Sequence, residues 1–116
     1  MDCPLGTFSL AHTSTHAFCA FYGCSEGAIG VDAEPMARSV SRWQALSQRF
    51  LTAGEQRLVQ DEASFLRLWI KKEALAKAYG MGLGDAARID TLSVAPECFW
   101  QDTVENCAVS ICLLPQ

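Results

Sequence analysis

The chain has no apolar run long enough to cross a membrane, no cysteine pair at C-x-x-C spacing, and no basic residue before Arg38 or after Arg88. The first absence argues against a membrane-spanning helix. The second removes the commonest zinc and redox signature. The start, Met1-Asp2-Cys3-Pro4, has no basic segment leading into an apolar stretch, so a signal peptide is not expected and a cytoplasmic location is. Without a secretory context the six cysteines read as reduced, mostly buried thiols, with Cys19 and Cys112 inside apolar runs. Confinement of the basic residues to one stretch argues against general nucleic-acid binding, which calls for a basic domain. There is no G-x-S-x-G elbow for a hydrolase nucleophile. The glycines of Gly80-Met81-Gly82-Leu83-Gly84 follow an expected helix instead of opening one, which excludes a P-loop or dinucleotide-binding turn. Repeats, low-complexity tracts and linkers are also missing, so residues 1–116 read as one domain.

What is present is half hydrophobic by residue count, enough for a core in a chain of 116 residues. The net charge of −4 hides a basic middle between two acidic ends, a pattern compatible with a phosphorylated ligand or an acidic partner. Strands are expected at 7–11, 16–22 and 28–32, with a turn at 23–27 and Pro35 ending regular pairing after Glu34. Apolar spacing of three and four gives a helix over 40–50. Thr52 and Glu55 fit a capping box for a short helix to about Gln60. Asp61 or Ser64 caps a longer helix that ends at Gly80. Strands return at 91–94, 98–100 and 107–114. The expected class is α+β: a small antiparallel sheet packed on helices, strands first and last with helices in the middle.

Two groups of residues carry chemistry. Asp32 and Glu34, two apart on a strand, share a face, and paired carboxylates repel unless a cation lies between them. Glu73 and Lys77 share a helix face at i and i+4, an arrangement that also stabilises ordinary exposed helices by roughly 0.2–0.5 kcal/mol. Three carboxylates and an amine could together form a magnesium and phosphate site, or could simply solvate two surfaces. Trp69 reads as core.

Four segments in order resemble the 4′-phosphopantetheinyl transferases: Phe8-Ser9-Leu10-Ala11-His12-Thr13-Ser14; Gly30-Val31-Asp32-Ala33-Glu34; Arg49-Phe50-Leu51-Thr52-Ala53-Gly54-Glu55; and Trp69-Ile70-Lys71-Lys72-Glu73-Ala74-Leu75-Ala76-Lys77-Ala78-Tyr79-Gly80-Met81-Gly82-Leu83. The last, similar to W-x-x-K-E-A-x-x-K-x-x-G-x-G-L, is the most specific. The resemblance implies transfer of the phosphopantetheine arm of coenzyme A to a serine of an acyl or peptidyl carrier protein, with release of 3′,5′-ADP. It implies Asp32, Glu34 and Glu73 as magnesium ligands, with Asp32, Glu73 and Lys77 catalytic. His12, Lys72 and Lys77 would hold the phosphates of coenzyme A. Carriers in such reactions are acidic, which makes Arg38, Arg42, Arg49 and Arg57 candidates to face one. The match is to the carboxy-terminal half of the surfactin-type members, while the length is like the holo-acyl-carrier-protein synthase type. Ala11 stands where a serine is usual, and Thr13 replaces another. These features imply a homo-oligomer, dimer or trimer, in which a neighbour supplies what a second half would. The alternative is a non-catalytic relative that binds coenzyme A or a carrier.

Overall fold

Alternating apolar and small residues in the first third place one side of each strand inward, and the computed structural model, which describes residues 2–3, 6–23, 27–81 and 87–114, folds them into two antiparallel sheets where one was expected. The strands are β1 (Asp2–Cys3), β2 (Gly6–His12), β3 (Ala17–Tyr22), β4 (Ala28–Pro35), β5 (Phe99–Val104) and β6 (Cys107–Leu114); the helices between β4 and β5 are α1 (Trp43–Phe50), α2 (Ala53–Gln56) and α3 (Glu62–Ala78). One sheet has the order β1-β2-β3 and the other β4-β6-β5. Strands at both ends with helices in the middle are therefore the architecture. Of the expected features, Cys24, most of the 23–27 turn and the end of the glycine-rich motif at Gly82-Leu83-Gly84 lie outside the described residues.

Three layers result. Ala11 and Ala20 of the first sheet meet Ile29, Val31, Ala33, Cys107 and Val109 of the second. On the opposite face, Ala74, Leu75 and Ala78 of α3 pack with Cys112. Leu51, Phe65 and Leu68, with Trp43 and Trp69 partly buried, form a smaller core among the helices. Trp69 sits against Phe50 and Phe65 at centroid distances of 5.5 and 5.9 Å, in the core role expected for it.

Local chemistry sets the boundaries. Thr52 and Glu55 form the capping box, but α2 ends at Gln56, short of Gln60. Asp61 and Ser64 act together as a capping box for α3. At its other end Gly80, at φ +73°, donates to the Lys77 carbonyl while the Met81 amide donates to that of Ala76, the paired bonds of a Schellman cap. The helix expected over 40–50 begins only at Trp43: residues 41–42 form a turn, the Trp43 amide donating to the Val40 carbonyl at 3.2 Å, and the Val40 amide is taken by Glu62 Oε2 at 3.0 Å. The strand expected at 91–94 is a 3₁₀ turn, Thr91–Ser93: Asp90 caps the Leu92 amide, and Thr91 turns both its amide and hydroxyl to Glu55. A second 3₁₀ turn, Pro96–Cys98, precedes β5, which starts at Phe99 and runs on to Val104. Glu105 and Asn106, at φ 51° and 61°, close the β5–β6 hairpin with the two-residue geometry that matches strand twist.

The cysteines divide by strand face. Cys107 and Cys112 are buried as expected, and burial pushes the Cys112 thiol up to about 12. Cys19, in contrast, is exposed, because odd-numbered residues of β3 point away from the second sheet. Alkylation of the native protein, mapped by peptide mass, should therefore label Cys19 well before Cys107 and Cys112. Equal rates would contradict the assignment of strand faces.

Candidate active site

Alternation along β4 puts Val31 and Ala33 into the core between the sheets and turns Gly30, Asp32 and Glu34 toward α3. Gly30 brings the helix close: a Cβ there would lie 2.0 Å from the Ala74 carbonyl oxygen and 2.7 Å from the Ala78 nitrogen. Only a hydrogen on Gly30 permits this approach. One residue before each of these contact points, and one turn apart, α3 presents Glu73 and Lys77 to the strand that carries the acidic pair.

Lys77 does not pair with Glu73. Its Nζ donates to the Val31 carbonyl at 2.9 Å, the Leu10 carbonyl at 3.3 Å and Asp32 Oδ1 at 3.4 Å, so it bridges the facing edges of β2 and β4. A second cross-link joins the same strands, the Val31 amide donating to Ser9 Oγ at 3.1 Å. Glu34 pairs with Arg38 at 2.5 Å. Glu73 Oε1 is left buried with no hydrogen-bond partner among the described residues.

The electrostatics follow from this crowding of acids. Burial, together with the negative charges of Asp32 and Glu34, pushes Glu73 up to about 6 against the opposing pull of Lys77. Asp32 is raised as well, burial outweighing its bond to Lys77, with Glu34 adding to the rise. A buried carboxylate oxygen without a donor, facing two more carboxylates, is a cost that a cation relieves. Hard oxygen donors of this kind suit magnesium. Among the described residues no three acidic, histidine or cysteine side chains already converge as a ligand set, since Asp32 and Glu34 are turned to basic partners. Clefts open at Lys77 and at Arg38, the basic partners of Asp32 and Glu34. One, about 370 Å³, is lined by Phe8, Leu10, Ile29, Lys77 and Met81. The other, about 220 Å³ and mainly apolar, is lined by Arg38, Val40, Phe50 and Trp69.

The remaining expected residues divide. His12 is exposed at the end of β2, on the same face as Leu10 and two residues beyond it. Lys72 is not at the site, and its expected phosphate-holding role is corrected: Nζ is fully buried and donates to Glu55 Oε1 at 2.6 Å. One residue earlier than Glu73 on the helix, Lys72 is rotated about 100° from it and faces the core. Ala11 lies in the core between the sheets, so the serine it replaces removes no group from this surface. Arg38, Arg42, Arg49 and Arg57 are all exposed.

Two residues escaped sequence reasoning beyond a local role. Glu55 was read only as a cap, yet it accepts from Thr52, Lys72 and both donors of Thr91; burial pushes its carboxyl up, but those bonds outweigh it and the net shift is downward. Ser110 is the register partner of Asp32 on β6, fully buried with a hydroxyl that has no partner among the described residues. Its signal was available: it is the one hydroxyl side chain within an otherwise apolar strand.

No curated protein matches the chain at a significant level. The family model for ACPS, the 4′-phosphopantetheinyl transferase superfamily, matches residues 28–112, from the first residue of β4 into β6, and so takes in Asp32, Glu34, Glu73 and Lys77. With most of its length under that match and the acids and lysine gathered where β4 meets α3, this chain belongs to the 4′-phosphopantetheinyl transferase superfamily.

Proposed function

We propose that the protein transfers the 4′-phosphopantetheine arm of coenzyme A to a serine hydroxyl of an acidic acyl or peptidyl carrier protein, releasing 3′,5′-ADP. The observation that carries this reading is the buried Glu73 Oε1 beside Asp32 and Glu34, without a hydrogen-bond partner among the described residues. Asp32, Glu34 and Glu73 would hold magnesium, Asp32 and Glu34 exchanging Lys77 and Arg38 for the ion. When bound, the ion supplies charge stabilisation to the pyrophosphate oxygens.

The chain's own residues account for the rest. Glu73 is the carboxylate placed to take the proton of the attacking serine hydroxyl. The serine oxygen bonds to the phosphorus that carries pantetheine, and the bond from that phosphorus to the bridging oxygen breaks. Lys77, released from Asp32, places a point charge against the leaving phosphate. His12, exposed at the end of β2, holds an outer phosphate of coenzyme A. The exposed arginines at 38, 42, 49 and 57 offer an acidic carrier a complementary surface.

Calorimetry tests the binding half. Coenzyme A should bind in a magnesium-dependent manner, and Asp32→Asn should abolish the dependence; magnesium-independent binding that survives the substitution would contradict the ligand assignment. The protein is also proposed to work as a homo-oligomer, a neighbour supplying basic contacts to the nucleotide end. Sedimentation should show a dimer or trimer at assay concentration, and an active monomer would overturn that part. A second reading, binding without transfer, draws on Lys77, whose amine is already engaged by two backbone carbonyls and Asp32.

A further inference from the structure

We propose that the buried Lys72–Glu55–Thr91 network is a positioning device for Glu73, fixing the rotation of α3 so that the carboxylate is presented to Asp32 and Glu34. The inference rests on the transfer reading for its functional consequence but on geometry for its origin.

Lys72 and Glu55 are both fully buried and joined at 2.6 Å. Glu55 has no unused capacity at either oxygen. Oε1 accepts from Lys72 and from the Thr52 amide at 2.9 Å, and Oε2 accepts from the Thr91 amide at 2.9 Å and the Thr91 hydroxyl at 2.6 Å. One carboxylate thereby ties the start of α2, the middle of α3 and the 3₁₀ turn at Thr91–Ser93. A buried ion pair contributes little net stability compared with apolar side chains of the same size, so stability alone is a weak account of its presence.

Positional definition is a better account. The face that α3 lays on the second sheet combines Ala74, Leu75 and Ala78, with the backbone brought close over Gly30. Apolar packing of this kind is close but non-directional. The charged bond from Lys72 is directional, and Lys72 adjoins Glu73 in sequence. With side-chain ends about 5–6 Å from the helix axis, a turn of about 20° moves a carboxylate by about 2 Å. A misplacement of about 1 Å costs about 100-fold in rate.

The test uses Glu55→Gln combined with Lys72→Met, which removes both charges at similar volume, with Lys72→Arg as the conservative comparison. The double variant should melt cooperatively and be folded at assay temperature. Its magnesium affinity in the presence of coenzyme A should fall about 10- to 100-fold, the range seen when groups that orient metal ligands are removed. kcat should fall by a similar factor, KM for coenzyme A should stay within about twofold, and Lys72→Arg should recover most of the loss. A purely structural pair would lower Tm and leave magnesium affinity and kcat unchanged below it, and that result overturns the proposal. Should the double variant not fold, Thr91→Val removes one donor to Glu55 and should weaken magnesium binding about threefold; no change would count against the proposal. If the unaltered protein neither binds magnesium nor transfers, the functional reading has failed by itself. The positioning claim is then decided by a crystal structure of the double variant: α3 rotated against β4 at Gly30 supports it, and an unmoved Glu73 overturns it.

Discussion

Glu73→Gln is expected to lower transfer by about 10²–10⁴-fold, the range for losing a positioned proton acceptor, while making the protein more stable above pH 6. The two effects have one cause. In the folded chain Glu73 holds its proton to about pH 6, against an ordinary value of 4.5, because burial and the neighbouring acids disfavour its charge. Stability contributed by the neutral acid is fully present below pH 4.5 and is lost as the pH rises through about 6. This penalty on the charged state is removed by a neutral amide. Thermal midpoints of the two proteins should therefore coincide near pH 4 and separate by pH 8, with glutamine the more stable. Saturating magnesium should stabilise the unaltered protein at pH 8 and much less near pH 4, where protons compete for the same oxygens. A glutamine variant less stable than its parent at pH 8 would contradict this picture of Glu73.

Gly30→Ala is expected to be strongly damaging, both to the fold and to the site. The added Cβ would meet the Ala74 carbonyl at 2.0 Å and the Ala78 nitrogen at 2.7 Å, both backbone atoms that no rotamer change can move. Relief requires lifting α3 from β4, at a cost of about 3 kcal/mol or more, the upper range for overpacking. It would also separate Glu73 from Asp32, so magnesium-dependent binding should be lost in whatever fraction folds. Gly80 provides the contrast. Among the described residues a Cβ at Gly80 meets nothing within 4 Å, while its φ of +73° opposes a side chain. Gly80→Ala should therefore cost about 1 kcal/mol and leave the site intact. Chemical denaturation of both variants measures the difference, and comparable losses would mean that Gly30 is not the point of closest approach.

The contrast shows what a sequence makes legible. Asp32 and Glu34 could be placed on one face because strand periodicity is local, and the caps of α3 could be read from Asp61, Ser64 and Gly80 because each acts within a few residues. Lys77 was placed near the acids correctly, but its bonds to the Leu10 and Val31 carbonyls depend on two strands meeting edge to edge, which no local spacing encodes. Lys72 was misplaced for a related reason. Lysine is almost never fully buried unless paired, and its partner Glu55 lies 17 residues away, already assigned a sufficient role as a cap. The strand expected at 91–94 failed on the same residue, since Glu55 draws Thr91 out of extended pairing. One buried carboxylate thus accounts for two of the departures from expectation. Its four donors come from three separated segments.

The central claim is the transfer itself, and intact mass measures it most directly. The protein is incubated with coenzyme A, magnesium and an apo carrier protein. The carrier's mass should rise by one phosphopantetheine arm, only when magnesium is present and not with Asp32→Asn. An unchanged mass across several acidic carriers, with coenzyme A demonstrably bound, would contradict it and leave a binding protein in its place.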